Sequence, residues 1–256
     1  MEIRSYLIGL AIRHQGDWHE IVEAIKNKEE IKEEELHVYL EYLHCKTLTI
    51  LDPEYPEYLK QIMCPPIVLF YYGDISLISD YSKNVAIVGS RDASQEGLLN
   101  IYSIAENIGK RLNVVSGLAR GIDAAAHQGI ISGGGKTIGV LGCGIEMCYP
   151  SCNKKLYDEI KRNHLLISEY YGYISPEAKN FPQRNRLIVA FSKGTLIGES
   201  FERSGTSITA NFALDMCREL MAVPSGNINN SLSNSLIKDG CYVVTSAEDI
   251  FTYLGV

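Results

Sequence analysis

The sequence predicts an α/β protein, a Rossmann-like, doubly wound and mostly parallel sheet preceded by a small helical domain. Three observations carry that expectation. From Val85 onward, short apolar runs alternate with helix-length amphipathic stretches, the pattern of parallel strands covered on both faces. Before residue 46, apolar residues recur at helical spacing instead. The charge divides along the chain as well: residues 1–75 hold 7 Lys+Arg and 14 Asp+Glu, whereas residues 76–256 hold 17 of each.

The helical domain is placed at residues 1–45. Ile3, Leu7 and Leu10 mark one apolar face, Trp18, Ile21, Val22 and Ile25 a second, and Leu36, Leu40 and Leu43 a third. Asp17 stands where the second helix needs an N-cap. A connecting segment, 46–80, breaks helix at Asp52-Pro-Glu-Tyr-Pro and Cys64-Pro-Pro and leads into an apolar strand at Ile67–Tyr72. Residues 81–256 form the sheet domain. Its strands are predicted at Val85–Val88, Asn113–Val115, Thr137–Leu141, Leu165–Ile167, Thr195–Ile197, Leu220–Val223 and Tyr242–Val244. Helices are predicted at 95–111, 120–131, 152–162 and 206–218, with a helical run at Leu187–Phe191.

Composition excludes several classes. With 256 residues, 46% apolar and 21% charged, the chain is not a disordered, collagen-like or coiled-coil sequence. No apolar run approaches the ~20 residues of a membrane span. Tyr6–Ile12 is short, runs into Arg13, His14 and Asp17, and lacks a small-residue cleavage site, so no signal peptide is expected, and the scattered cysteines, odd in number, point to a reducing cytoplasm. Seven scattered cysteines make no disulfide framework. Cys143, Cys148 and Cys152 have neither a CxxC knuckle nor a nearby histidine pair, so no metal is expected.

In a doubly wound sheet, ligands bind outside the carboxyl ends of the strands, so the loops after the strands matter most. Gly89-Ser90-Arg91 follows the first predicted strand of the domain and precedes a helix. Glycine permits close approach, Ser90 offers a hydroxyl, Arg91 a planar fork of donors, and the helix N-terminus partial positive charge. That chemistry suits a phosphate; a plain tight turn with a surface arginine reads equally well. Ser116-Gly117-Leu118-Ala119-Arg120-Gly121 repeats the recipe after the next strand. Arg120 either faces the same crevice or pairs with Asp123. His127 has no acid or nucleophile in sequence reach and reads as structural. Gly133-Gly134-Gly135-Lys136-Thr137 lacks the first glycine of a P-loop and precedes a strand, so it reads as a turn.

The segment Lys179-Asn180-Phe181-Pro182-Gln183-Arg184-Asn185-Arg186 interleaves cations and amides with one aromatic ring. Cations that track phosphates beside a ring that stacks a base suit single-stranded nucleic acid. The competing reading has Phe181 as a core plug, with Arg184 and Arg186 paired to acids such as Glu199. A last loop, Glu199 to Ser207, places Ser204, Gly205 and Thr206 at a helix start suited to an anion. Together these turns point to a polyanion or nucleotide. No nucleophile–base pair, metal cluster or GxGxxG accompanies them.

At these residues the chain resembles the DNA processing protein A family of bacteria (DprA, also called Smf), from about Ile67 to Ile250. The resemblance rests on Val85-Ala-Ile-Val-Gly-Ser-Arg91, Ser116-Gly-Leu-Ala-Arg-Gly-Ile-Asp-Ala-Ala-Ala-His127 and Gly135-Lys-Thr-Ile-Gly-Val-Leu-Gly-Cys-Gly144 with Tyr149-Pro150. It continues through Ser168-Glu169-Tyr170, Phe181-Pro-Gln-Arg-Asn-Arg186 and Ser204-Gly-Thr-Ser-Ile-Thr-Ala210. Residues 1–45 resemble the family's sterile-alpha-motif-like N-terminal domain more loosely. The resemblance implies a cytoplasmic homodimer without catalytic residues or cofactor. It would bind and protect single-stranded DNA and help load RecA recombinase on it during natural transformation. The phosphate pocket would then be Gly89, Ser90, Arg91, Ser116, Gly117, Ser204, Gly205 and Thr206. Phe181 would be the stacking ring, Arg184 and Arg186 its flanking cations, and Arg120, Lys179 and Asn185 neighbouring contacts.

The sequence departs from the family pattern at Ser225, at Leu232-Ser233-Asn234 and at Gly198-Glu199-Ser200. It ends at Val256, which implies no C-terminal winged helix. The rival expectation is a nucleoside-monophosphate phosphoribohydrolase of the LOG type, built on a similar fold. Its Gly-Gly-x-Gly-Thr-x-x-Glu loop reads here Ser204-Gly205-Thr206-Ser207-Ile208-Thr209, without the glutamate; Glu199 would have to substitute.

Overall fold

Residues 2–202, 204–226 and 230–256 are described by a computed structural model. Arg203 of the Glu199–Ser207 loop and residues 227–229 of the atypical 225–234 rim lie outside the described residues. The N-terminal segment folds as three helices, α1 (Ile3–Arg13), α2 (Trp18–Lys26) and α3 (Glu33–Glu41). Asp17 caps α2 as predicted, its carboxylate accepting from the N–H of His19 at 3.0 Å and Glu20 at 3.2 Å. Asp17→Ala should cost about 1 kcal/mol, which for a chain this size lowers the melting midpoint by roughly 2–4 °C. An unchanged thermal melt would remove the cap from the stability of α2. The helices do not form a core of their own: Leu7, Ile8, Leu10, Ile21 and Leu36 share one buried cluster with sheet residues that include Phe70 and Leu141. The Trp18 indole N–H donates to the Pro65 carbonyl at 2.8 Å.

Nine strands among the described residues form one sheet. They are β1 (Lys46–Thr49), β2 (Val68–Gly73), β3 (Asn84–Val88), β4 (Asn113–Ser116), β5 (Thr137–Leu141), β6 (Leu165–Ser168), β7 (Gly194–Ile197), β8 (Glu219–Ala222) and β9 (Tyr242–Val243). Their order is β1-β2-β6-β5-β4-β3-β7-β8-β9. Strands β3 to β9 pair in parallel, while β1 and β2 add an antiparallel edge on β6. This is the predicted mostly parallel, doubly wound sheet. The seven helices that follow are α4 (Gln95–Ile108), α5 (Ile122–Ser132), α6 (Lys154–Asn163), α7 (Asn180–Ala190), α8 (Gly205–Asp215), α9 (Leu232–Lys238) and α10 (Ala247–Leu254).

Both faces of the sheet are covered, because strand side chains alternate between them. Val85 and Ile87 of β3 join the cluster formed with α4, α5 and α10. Ala86 and Val88, one residue on, join the opposite cluster formed with α7 and α8. Fully buried strands read as unbroken apolar runs, which is why β3, β5 and β6 were legible. Among the described residues, no helix is long and apolar enough to cross a membrane.

The strand order fixes where a ligand can sit. The chain runs from β3 through β4 and β5 to β6 on one side, then crosses back to place β7 on the other side of β3. The crevice at the carboxyl ends of β3 and β7 is therefore the topological switch point.

Candidate nucleic-acid interface

At that switch point lies a cavity of about 380 Å³. Gly89, Ser90 and Arg91 from the loop after β3 line one side, and Ser204, Gly205 and Thr206 from the start of α8 another. Phe181, Arg184 and Asn185 of α7 line a third side, and the acids Asp92 and Asp123 and the ring of Phe201 reach the cavity as well. A second cavity of about 370 Å³ adjoins it, sharing Arg91, Phe181 and Arg184 and adding Gly117 and Arg120.

Helix α7 decides which candidates reach the cleft. It begins at Asn180, seven residues before the predicted helical run, so the cation-rich segment is helix rather than loop. Pro182, in the first turn, lacks an N–H that would have found no helical partner there. Residues 181, 184, 185 and 188 then share the cleft face at helical spacing. Arg186 stands roughly 200° around the helix from Arg184, so the two cations cannot flank one strand.

Arg186 is accordingly not a cleft cation, contrary to the expectation from sequence. It is buried, with its guanidinium donating to both carboxylate oxygens of Glu169 at 2.7 Å and to the Cys64 carbonyl at 2.7 Å. Burial works against its charge, but Glu169 outweighs that and its pKa is raised. Lys179 is also displaced. Its exposed side chain pairs with Glu177 at 3.2 Å and lines a separate groove with Arg13 and Gln183. Arg184 does reach the cleft, as its buried floor: its guanidinium donates to the carbonyls of Gly117, at 2.7 Å, and Val140. Gly117 leaves room for it, since a Cβ there would stand 2.6 Å from the guanidinium. Burial lowers the Arg184 pKa against the opposing pull of Asp123.

Arg91 is exposed, its guanidinium carbon 5.1 Å from the Phe181 ring centroid. No acid of the described residues lies within ion-pair distance of it. Arg120 pairs with Asp92 at 3.7 Å across solvent, not with Asp123. Asp123 is instead buried, accepting from the Gly117 N–H at 3.1 Å and the Ala119 N–H at 3.4 Å, and burial pushes its carboxyl up. Ser116 is equally internal, its hydroxyl donating to the Ile87 carbonyl at 2.6 Å, so it shapes the β4 loop without facing the cavity. Gly89 serves packing, because a Cβ there would meet Ile122 at 2.6 Å.

The helix N-termini around the crevice are not equivalent. That of α4, behind Gly89-Ser90-Arg91, is already occupied. Ser94 caps Gly97, and the Glu199 carboxylate accepts from the Ser94 N–H at 3.1 Å and from its hydroxyl at 2.5 Å. The first amide of α5, at Ile122, donates to the Ser90 carbonyl at 3.1 Å. At the N-terminus of α8, Ser204 turns its hydroxyl to the Phe201 carbonyl and makes no side-chain cap, and among the described residues no other side chain caps it. Here the positive end of a helix meets the cavity.

His127 is buried, its Nδ1 2.7 Å from the Thr137 hydroxyl, and burial pushes its pKa down to about 3. It stays neutral and structural. Gly133–Lys136 forms the turn between α5 and β5, not a phosphate loop. The sequence reading missed Tyr149 as a site residue. Its ring lies 5.8 Å from that of Phe181, and the Tyr149-Pro150 pair after a glycine-rich loop was the available signal.

Residues 46–255 match the family model described as DNA recombination-mediator protein A. The chain is 38% identical over 220 residues to DNA processing protein DprA of Streptococcus pneumoniae, covering 85% of this chain and 77% of that one. It is 38% identical over 212 residues to DprA of Bacillus subtilis, covering 81% and 71%. The X-ray structure of the Streptococcus pneumoniae DprA superposes with a TM-score of 0.81 at 35% identity, over 91% of this chain and 81% of that one. A Helicobacter pylori DprA structure, described by its single-stranded DNA binding mode, matches with a TM-score of 0.73 at 28% identity, over 82% and 96%. Together with the switch-point cleft, these matches make the chain a member of the DNA recombination-mediator protein A family, that of the DNA processing proteins DprA and Smf.

Proposed function

We propose that this protein binds single-stranded DNA in the switch-point cleft, shields it, and helps load RecA recombinase on it during natural transformation. It would act in the cytoplasm as a homodimer. The observation that carries this reading is the half-buried Phe181 ring, fixed on α7, with the Arg91 guanidinium beside it and the N-terminus of α8 across the cavity. A ring offers every base a stacking surface, while the cation and the helix amides hold phosphate without reading sequence. The relative from Helicobacter pylori, named for binding single-stranded DNA, supports the same ligand. Glu199, the acid on which the hydrolase alternative would depend, is held by Ser94 and lines neither cavity.

Fluorescence anisotropy with a labelled poly-dT oligonucleotide tests the reading. Wild type should bind with a steep salt dependence. Arg91→Ala should weaken binding for all sequences and flatten the log–log salt slope by about 0.7, one single-strand phosphate contact. A mutant slope equal to wild type would remove Arg91 from the interface, and no wild-type binding would overturn the proposal.

A further inference from the structure

We infer that the second cavity is a subsite for the neighbouring nucleotide, with Tyr149 as its stacking ring, so that the cleft holds two consecutive bases around Phe181. This rests on the single-strand reading of the cleft. The two cavities, about 380 Å³ and 370 Å³, share one wall made of Arg91, Ala119, Phe181 and Arg184. Each has the volume of a small ligand site, at the low end of the usual roughly 300–1,000 Å³. The second is lined on its far side by Tyr149, Pro150 and Cys152 and reached by Arg120.

Tyr149 is 42% exposed beside this cavity, so its ring is open to a ligand. Its centroid lies 5.8 Å from that of Phe181 with the planes tilted by 37°, so the two rings are not stacked face to face. Phe181 lines both cavities, whereas Tyr149 lines the second alone. Asp92 and Asp123 line the first cavity, whereas the second is lined by Arg91, Arg120 and Arg184 and, among the described residues, by no acid. The Arg120–Asp92 pair spans 3.7 Å with both side chains mostly exposed, and such pairs are weak enough for a phosphate to displace the carboxylate. Arg91 stands on the shared wall, placed to meet a phosphate that links the two nucleotides.

The test compares wild type, Tyr149→Ala, Tyr149→Leu, Tyr149→Phe and Arg91→Ala on labelled dT oligonucleotides of increasing length at two salt concentrations. Thermal melts confirm that each variant is folded. Tyr149→Ala should lose about 5- to 150-fold in affinity, the usual effect of removing one stacking ring, without changing the salt slope. Tyr149→Phe should bind like wild type and Tyr149→Leu like the alanine variant, because the ring and not the hydroxyl or the bulk is needed. Wild-type affinity in folded Tyr149→Ala, or full rescue by leucine, would overturn the subsite. Loss of binding in Arg91→Ala alongside either result would leave the single-strand reading standing. Absence of wild-type binding would instead sink both.

Discussion

Arg186→Leu should destabilise the fold by about 3–5 kcal/mol, because it strands a buried carboxylate. Glu169 is 8% exposed at its side chain and Arg186 is 6%, so water cannot replace the lost partner. The guanidinium also satisfies the Cys64 and Gln183 carbonyls, which would lose their donors. Chemical denaturation reads the loss directly. The double variant Arg186→Leu with Glu169→Leu should recover a large part of it, since two apolar residues leave no unpaired charge. Under conditions where the single variant remains folded, its DNA salt slope should match wild type, as expected of a cation that contacts no phosphate. A loss of stability below about 1 kcal/mol would mean that the pair is far better solvated than its burial implies.

Phe181→Ala should weaken single-strand binding by about 1–3 kcal/mol, roughly 5- to 150-fold, with the salt slope unchanged. The contrast with Arg91→Ala is the informative part. One variant removes a π-face and no charge; the other removes a charge and leaves the ring. Since Phe181 is only half-buried, its melting midpoint should move little. A drop of many degrees with intact affinity would make the ring a core plug.

How much of this was legible depended on where burial leaves its mark. Strands β3 to β8 were found because continuous burial demands apolar runs. Strand β1 was missed because Lys46-Thr47-Leu48-Thr49 is a four-residue edge strand, exposed at its start, with no run to see. The loops after β3 and β7 do meet at one cavity, in line with the rule that ligands bind beyond the carboxyl ends of parallel strands. The roles of individual cations were not readable. Arg184, Arg186 and Lys179 look alike in sequence, and only the phase of α7 sends one to the cleft floor, one to Glu169 and one to the surface. That phase was hidden because the apolar run that marks the helix begins only at Leu187, while its polar first turns carry Pro182, which is harmless there. The occupied N-terminus of α4 was invisible for another reason: Ser94 and Glu199 are 105 residues apart and meet only through the β3–β7 pairing.

The shared cluster beneath α1 to α3 bears on how the protein can be dissected. The family match starts at Lys46, an inviting place to begin a shortened chain. Cutting there would strip the cover from Phe70, Leu141, Ile145 and Leu166, which pack with Leu7, Leu10 and Ile21. Such a fragment is expected to be sticky and poorly folded whatever its affinity for DNA. Isolated point changes on the exposed faces of the helices, not their deletion, are the way to ask what the acidic end of the molecule does.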